Sequence, residues 1–233
     1  MLRPLIAFVA VLGLSFPAVA GTRATYRSAS GDQLQIEVAD SGEVRVGDPA
    51  REDYGVMKGT DFYMVSRADG QWHVATLENL ASAFDQLVPP IFKGLLGAAA
   101  PKPDSTLDIT TKGTREVAGF TGTVFEISGM GDRTIEAVVS NDPELAPLGK
   151  AMGRFIEATY VLTAPMLGAA SADMITDSRQ LFSLGTPLEA QDGFKLEKFE
   201  KADIPAARTA LPAQPATVDQ IVAAMRQAMP LGR

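Results

Sequence analysis

The chain has 233 residues and a formal net charge of −7 at pH 7, with 46% hydrophobic residues, a single His and no Cys. That length buries a substantial core in one domain, or in one domain with an appended helix, and argues against two full domains. The acidic balance repels phosphate backbones and so argues against sequence-independent nucleic-acid binding, while the lack of Cys removes disulfides, thiolate metal sites and a thiol nucleophile.

Met1, Leu2 and Arg3 make a short basic start, residues 5–16 are an apolar run, and Pro17-Ala18-Val19-Ala20 ends in the small-x-small pattern that signal peptidase reads. Residues 1–20 are therefore expected to be a cleavable signal peptide, cut after Ala20, that exports the chain to the periplasm. The run is shorter than the ~20 apolar residues of a permanent anchor, and no stop-transfer segment follows. A lipoprotein needs a Cys at the cut. The mature product is expected to be soluble and not membrane-spanning.

Short alternating segments separated by Gly turns follow, the signature of half-buried antiparallel strands. In 33–38, Leu34, Ile36 and Val38 alternate with Gln33, Gln35 and Glu37, giving one dry face. Flanking strands are expected at 23–29 and 43–46, with residues that tolerate positive φ at Ser30-Gly31-Asp32 and Asp40-Ser41-Gly42. Three more are expected at 54–58, 62–67 and 71–75.

Thr76 is placed to cap a helix carrying Leu77, Leu80, Phe84 and Leu87 on one face, stopped by Pro89-Pro90. Ile91, Phe92, Leu95 and Leu96 continue the apolar character, weakly helical because of Gly94 and Gly97. Strands resume at 106–110, 115–118, 122–127 and 133–140. Leu145, Leu148, Met152, Phe155, Ile156 and Leu162 then mark an amphipathic helix ending near Pro165, with Pro147 at the start of its regular part. Residues 179–184, 188–190 and 194–200 read as strands. Residues 205–215 have a Pro/Ala linker composition with little to bury, and Thr217 with Gln220 forms a capping-box pattern ahead of Ile221, Val222, Met225 and Met229. The domain reading is a folded unit over 21–204, a linker over 205–216 and a terminal helix over 217–233.

Chemistry finds little foothold. His73 alternates with Trp72 and Val74 and is expected on the solvated side of its strand, and no nucleophile elbow or phosphate loop occurs. Asp40 with Glu43, Glu52 with Asp53, and Asp142 with Glu144 fall in turns or helix starts, where carboxylates cap and solvate backbone amides. No catalytic residue, metal or cofactor is expected. The apolar insertion is more suggestive, since a compact hairpin would serve if connection were its only task. It forms either a lid over an apolar cavity or ordinary core, and the candidate lining is Phe84, Leu87, Phe92, Leu95, Leu96, Met152 and Phe155. Met130, Met152, Met166 and Met174 add adaptable thioether surface.

The order of segments, with Gly31 to Val46, Tyr63-Met64-Val65-Ser66, Gly70-Gln71-Trp72 and the block from Gly113 to Ile127, resembles an uncharacterised exported bacterial family classed as a domain of unknown function. The same plan is similar to the LolA/LolB-like lipoprotein-carrier superfamily. That resemblance implies an α+β fold in which a strongly curved antiparallel sheet, an incomplete barrel, holds helices in its concave face and can shelter an acyl chain. The carriers place a basic residue followed by Pro on an early strand. Here Arg45 is followed by Val46, with Pro49 later, so no lipid-site role is carried onto Arg45.

Two functions follow as expectations. The first is a periplasmic, non-enzymatic protein that binds a lipid or other apolar small molecule as a carrier or chaperone. The second is an envelope protein-interaction module whose core is filled and whose terminal helix docks a protein partner.

Overall fold

The computed structural model describes residues 21–87, 107–129, 131–167 and 170–228. Among them, eleven strands form one antiparallel sheet that does not close, accompanied by five helices, which bears out the α+β class. The expected leader over 1–20 lies outside the described residues, as do Phe92, Leu95 and Leu96.

Strands β1 (Thr22–Ser28), β2 (Gln33–Val38), β3 (Val44–Gly47), β4 (Tyr54–Lys58), β5 (Asp61–Ala68) and β6 (Gln71–Thr76) each pair with the one before, so the hairpin pattern read from alternation is present. The β5–β6 turn shows why: Asp69 and Gly70 have φ of 51° and 76°, the left-handed pair that matches strand twist in a two-residue hairpin. Helix α1 (Leu77–Leu87) follows, with the Thr76 hydroxyl accepting from Asn79 N at 3.0 Å as the cap.

At the other end of the sheet lie β7 (Asp108–Val117), β8 (Phe120–Gly129) and β9 (Gly131–Ser140). A 3-10 turn (Pro143–Leu145), α2 (Ala146–Leu167) and α3 (Ala170–Ser183) then lead to β10 (Thr186–Ala190) and β11 (Phe194–Lys201). Strand β11 pairs with both β10 and β1 and so joins the halves, leaving β6 and β7 as the edges.

Three expected strands are corrected. Residues 106–110 and 115–118 are not separate: β7 is continuous because the register shifts between Thr111 and Gly113, where Gly113 takes φ 150°, and Ala118 belongs to the turn. Residues 179–184 are not a strand but the end of α3 and its exit, where Leu181 and Leu184 pack against Ile127, Ala137 and Val139.

The sheet is covered on both sides. On one, Ala24, Tyr26, Ile36, Val38, Val44, Val46 and Met57 cluster with Leu145, Leu148 and Ala151, the last two from α2. Gly149 sits so close to Thr186 that a Cβ there would come within 2.3 Å of its Oγ1, which lets α2 lie flat on β10. On the other side, cross-strand neighbours Tyr54, Val65 and Val74 cluster with Val56 under Leu211 and Ala213.

That second cover overturns two readings. Glu37 is not on a solvated face but 1% exposed, and residues 205–215 are not a stretch with little to bury, since α4 (Ala206–Thr209) carries the fully buried Thr209. The segment crosses the sheet to its β6 edge, where Ala216 N donates to Val74 O at 2.8 Å and so fills an open edge group. Helix α5 (Val218–Ala228), capped by Thr217, then packs on α1, with Ile221 and Val222 against Ala83 and Leu87.

Candidate functional site

Of the candidate lining residues, Phe84, Leu87, Met152 and Phe155 fall among the described residues. Met152 and Phe155 come together against the main cluster: the Tyr26 hydroxyl lies 3.4 Å from Met152 Sδ, and the Phe155 and Phe62 rings are 5.4 Å apart. Phe84 is half-buried on α1, while Leu87 packs toward α5. Burial pushes the Tyr26 hydroxyl pKa up, and the hydroxyl donates to Pro187 O at 2.8 Å, so it is held as a neutral donor.

Arg45 lies on the side of the sheet away from α2. Its guanidinium stacks 3.4 Å from the centre of the Tyr54 ring and donates to Arg208 O at 3.3 Å. His73 is exposed, as its alternation with Trp72 and Val74 predicts. The acidic pairs are engaged locally: Asp142 caps Glu144 N at 2.9 Å, Glu52 meets Arg67 at 2.7 Å, Asp53 meets Arg51 at 3.1 Å, and Glu43 accepts from Lys58 at 2.8 Å. Among the described residues, no group of three or more His, Cys, Asp or Glu is placed to hold a metal ion.

Sequence reasoning missed the clefts flanking α2. One, of about 440 Å³, opens between α2 and the β2–β3 turn. Val38, Val44 and Ala151 form its inner wall, and all three belong to the main core cluster. Its mouth carries Lys150, Arg154 and Asp40. A second cleft, also about 440 Å³, lies on the other flank of the same helix between Gly149, Gly153, Phe182 and Thr186, and shares Lys150 and Arg154. The one sequence feature at this place is Lys150 and Arg154, two like charges one turn apart on α2, and their spacing alone does not reveal a cleft.

Arg154 is held in place by backbone. Its guanidinium donates to Gly42 O at 3.4 Å and to Gly59 O, tying the β2–β3 and β4–β5 turns over the helix. Carbonyl oxygens satisfy its donors but do not neutralise its charge.

No helix among the described residues is long and apolar enough to cross a membrane. No protein-family model matches the chain, and no curated protein matches it significantly.

Proposed function

We propose that this is an exported, non-enzymatic binding protein of the bacterial periplasm that holds a lipid or other apolar molecule between α2 and a curved sheet. Curvature is supported by contacts across strands that are not neighbours. The Phe120 and Phe199 rings, on either side of β9 and β10, have centroids 5.4 Å apart, whereas three strand intervals span about 14 Å in a flat sheet. Gly122 fits the same picture, because a Cβ there would meet Val138 Cγ1 at 2.6 Å and Leu188 Cδ1 at 3.3 Å. In this reading the helices pack on the concave face.

The observation that carries the binding reading is the wall of the α2 cleft. Core residues Val38, Val44 and Ala151 line an opening at the surface, so an apolar chain entering there extends the core rather than creating a new one. The test is titration of the purified protein with Nile red. Saturable fluorescence enhancement that decan-1-ol competes away is expected, and its absence would defeat the reading.

The second reading, an interaction module with a filled core, is favoured by one observation: Met152 and Phe155 already pack against the cluster they were expected to leave open. In that case the partner meets the exposed side of α5, at Gln220, Ala223 and Arg226, because Ile221 and Val222 are taken up by α1. A photo-cross-linker at Arg226 that yields one discrete partner in intact cells, with no saturable Nile red signal, decides for it.

A further inference from the structure

Within the cleft between α2 and the β2–β3 turn, three observations coincide. Lys150 and Arg154 stand one helical turn apart, and neither has a carboxylate within ion-pair distance among the described residues, although carboxylates outnumber cations in this chain. The nearest acidic groups along the helix do not serve them, since Glu157 is paired with Arg179 at 2.8 Å and Asp142 caps the 3-10 turn. Asp40 lines the mouth but makes no ion pair among the described residues. Like charges at this spacing repel, so two of them left side by side on a surface rich in carboxylates mark a place where an anion from outside completes the charge balance.

The third observation is Thr22. It is 6% exposed, it lines the same cleft, and its Oγ1 has no hydrogen-bond partner among the described residues. A buried hydroxyl without a partner costs on the order of a lost hydrogen bond, and it is relieved by an acceptor reaching it. Alongside Thr22 the wall is the apolar Val38, Val44 and Ala151. Two cations, one hydroxyl and apolar carbon lining one cleft describe a receptor for an acid with a tail.

We infer that this cleft binds the carboxylate of a single-chain amphiphile, with Lys150 and Arg154 pairing with the head, Thr22 donating to it, and the tail running between α2 and the sheet. This rests on the apolar-binding reading above and adds the head-group chemistry to it. Arg154 is prepared for the task because Gly42 O and Gly59 O fix its guanidinium before any ligand arrives.

The test is calorimetric titration of the purified chain with decanoate, decan-1-ol and acetate. Decanoate is expected to bind about tenfold more tightly than decan-1-ol, in line with a charge-assisted pair. Lys150→Gln and Arg154→Gln should each erase that preference, and Thr22→Val should weaken decanoate more than decan-1-ol. Arg154→Lys, which keeps the charge without the two-turn clamp, separates charge from lost turn anchoring and should restore part of the preference. Equal binding of decanoate and decan-1-ol by the unaltered protein, or a preference that survives in the Lys150→Gln/Arg154→Gln double variant, overturns the head-group assignment and leaves the apolar reading standing. Acetate bound as tightly as decanoate would make this a free-anion site and overturns the amphiphile. Binding of none of the three fails the apolar reading itself, and the inference falls with it.

Discussion

Arg208 Nη2 stands 2.8 Å from Glu37 Oε2, and the carboxylate it meets is 1% exposed. Arg23 Nε holds the other oxygen at 2.9 Å, so a residue of β2 is clasped between a cation of its neighbouring strand and a cation of α4. The carboxylate is tolerated in that dry place only because both its oxygens are paired. Arg208→Ala is expected to lower unfolding free energy by about 1–3 kcal/mol, the cost of leaving one buried oxygen unsatisfied. Urea denaturation measures it, and a midpoint unchanged from the parent would show that α4 does not secure Glu37.

Acid should loosen the same region through Glu43. Its carboxyl accepts from Lys58 and from the Thr209 hydroxyl, in that order of importance, and these hold its pKa below the ordinary carboxylate range. A pKa lowered in the folded state contributes stability that is present above the unfolded value, about 4.3, and is lost as pH falls through the folded value. Glu200, lowered chiefly by Lys198, follows the same sign. Stability measured from pH 6 down to pH 2 should therefore fall, and Glu43→Gln should flatten part of that slope. Identical slopes in parent and variant would remove Glu43 from the account.

The contrast between β2 and the segment after β11 shows what local pattern reveals. β2 and β4 fall on the expected bounds, because each is bounded by turn residues; β2 carries its apolar set at period two, whereas β4 buries four successive residues from Tyr54 to Met57. Glu37 was misread because its burial depends on a cover more than 160 residues away in sequence, supplied by Arg208 and Thr209. That cover had a legible signal beneath its composition: Thr209, Leu211 and Ala213 face inward and alternate with the exposed Ala210, Pro212 and Gln214. In α3 the helical stripe Ile175, Ser178 and Phe182 was hidden because a small polar residue occupies its buried middle. The α2 cleft was illegible for a different reason. Its walls come from β1, β2, β3 and α2, and only the fold brings them together.

Ala118 sits at φ 51°, in the first place of the two-residue turn between β7 and β8, ahead of Gly119 at φ 85°. A Cβ in the left-handed region meets the following carbonyl oxygen and costs on the order of 1 kcal/mol. Ala118→Gly should relieve that strain at the expense of a more flexible unfolded chain, leaving a net gain of up to about 1 kcal/mol. Asn, which tolerates the same conformation, should give a similar gain without the added chain entropy. A lowered melting temperature in both variants would mean that the turn is not held as described.

The terminal helix is expected to unfold with the sheet rather than before it. Ile221 and Val222, at 7% and 6% exposure, pack on α1, and the segment leading to them is tied to the β6 edge by Ala216 and to α1 by Asn79 Nδ2, which donates to Ala216 O at 2.9 Å. Trp72, the single Trp of the chain, lies in the cluster under Leu211 and reports directly on that cover. Ile221→Ala removes buried carbon worth about 2–4 kcal/mol at a well-packed site. If cover, edge and helix form one cooperative unit, Trp72 fluorescence and far-ultraviolet circular dichroism should shift to lower urea together, in a single transition. A Trp72 transition that separates from the loss of sheet signal would instead make residues 205–228 an independently detachable unit.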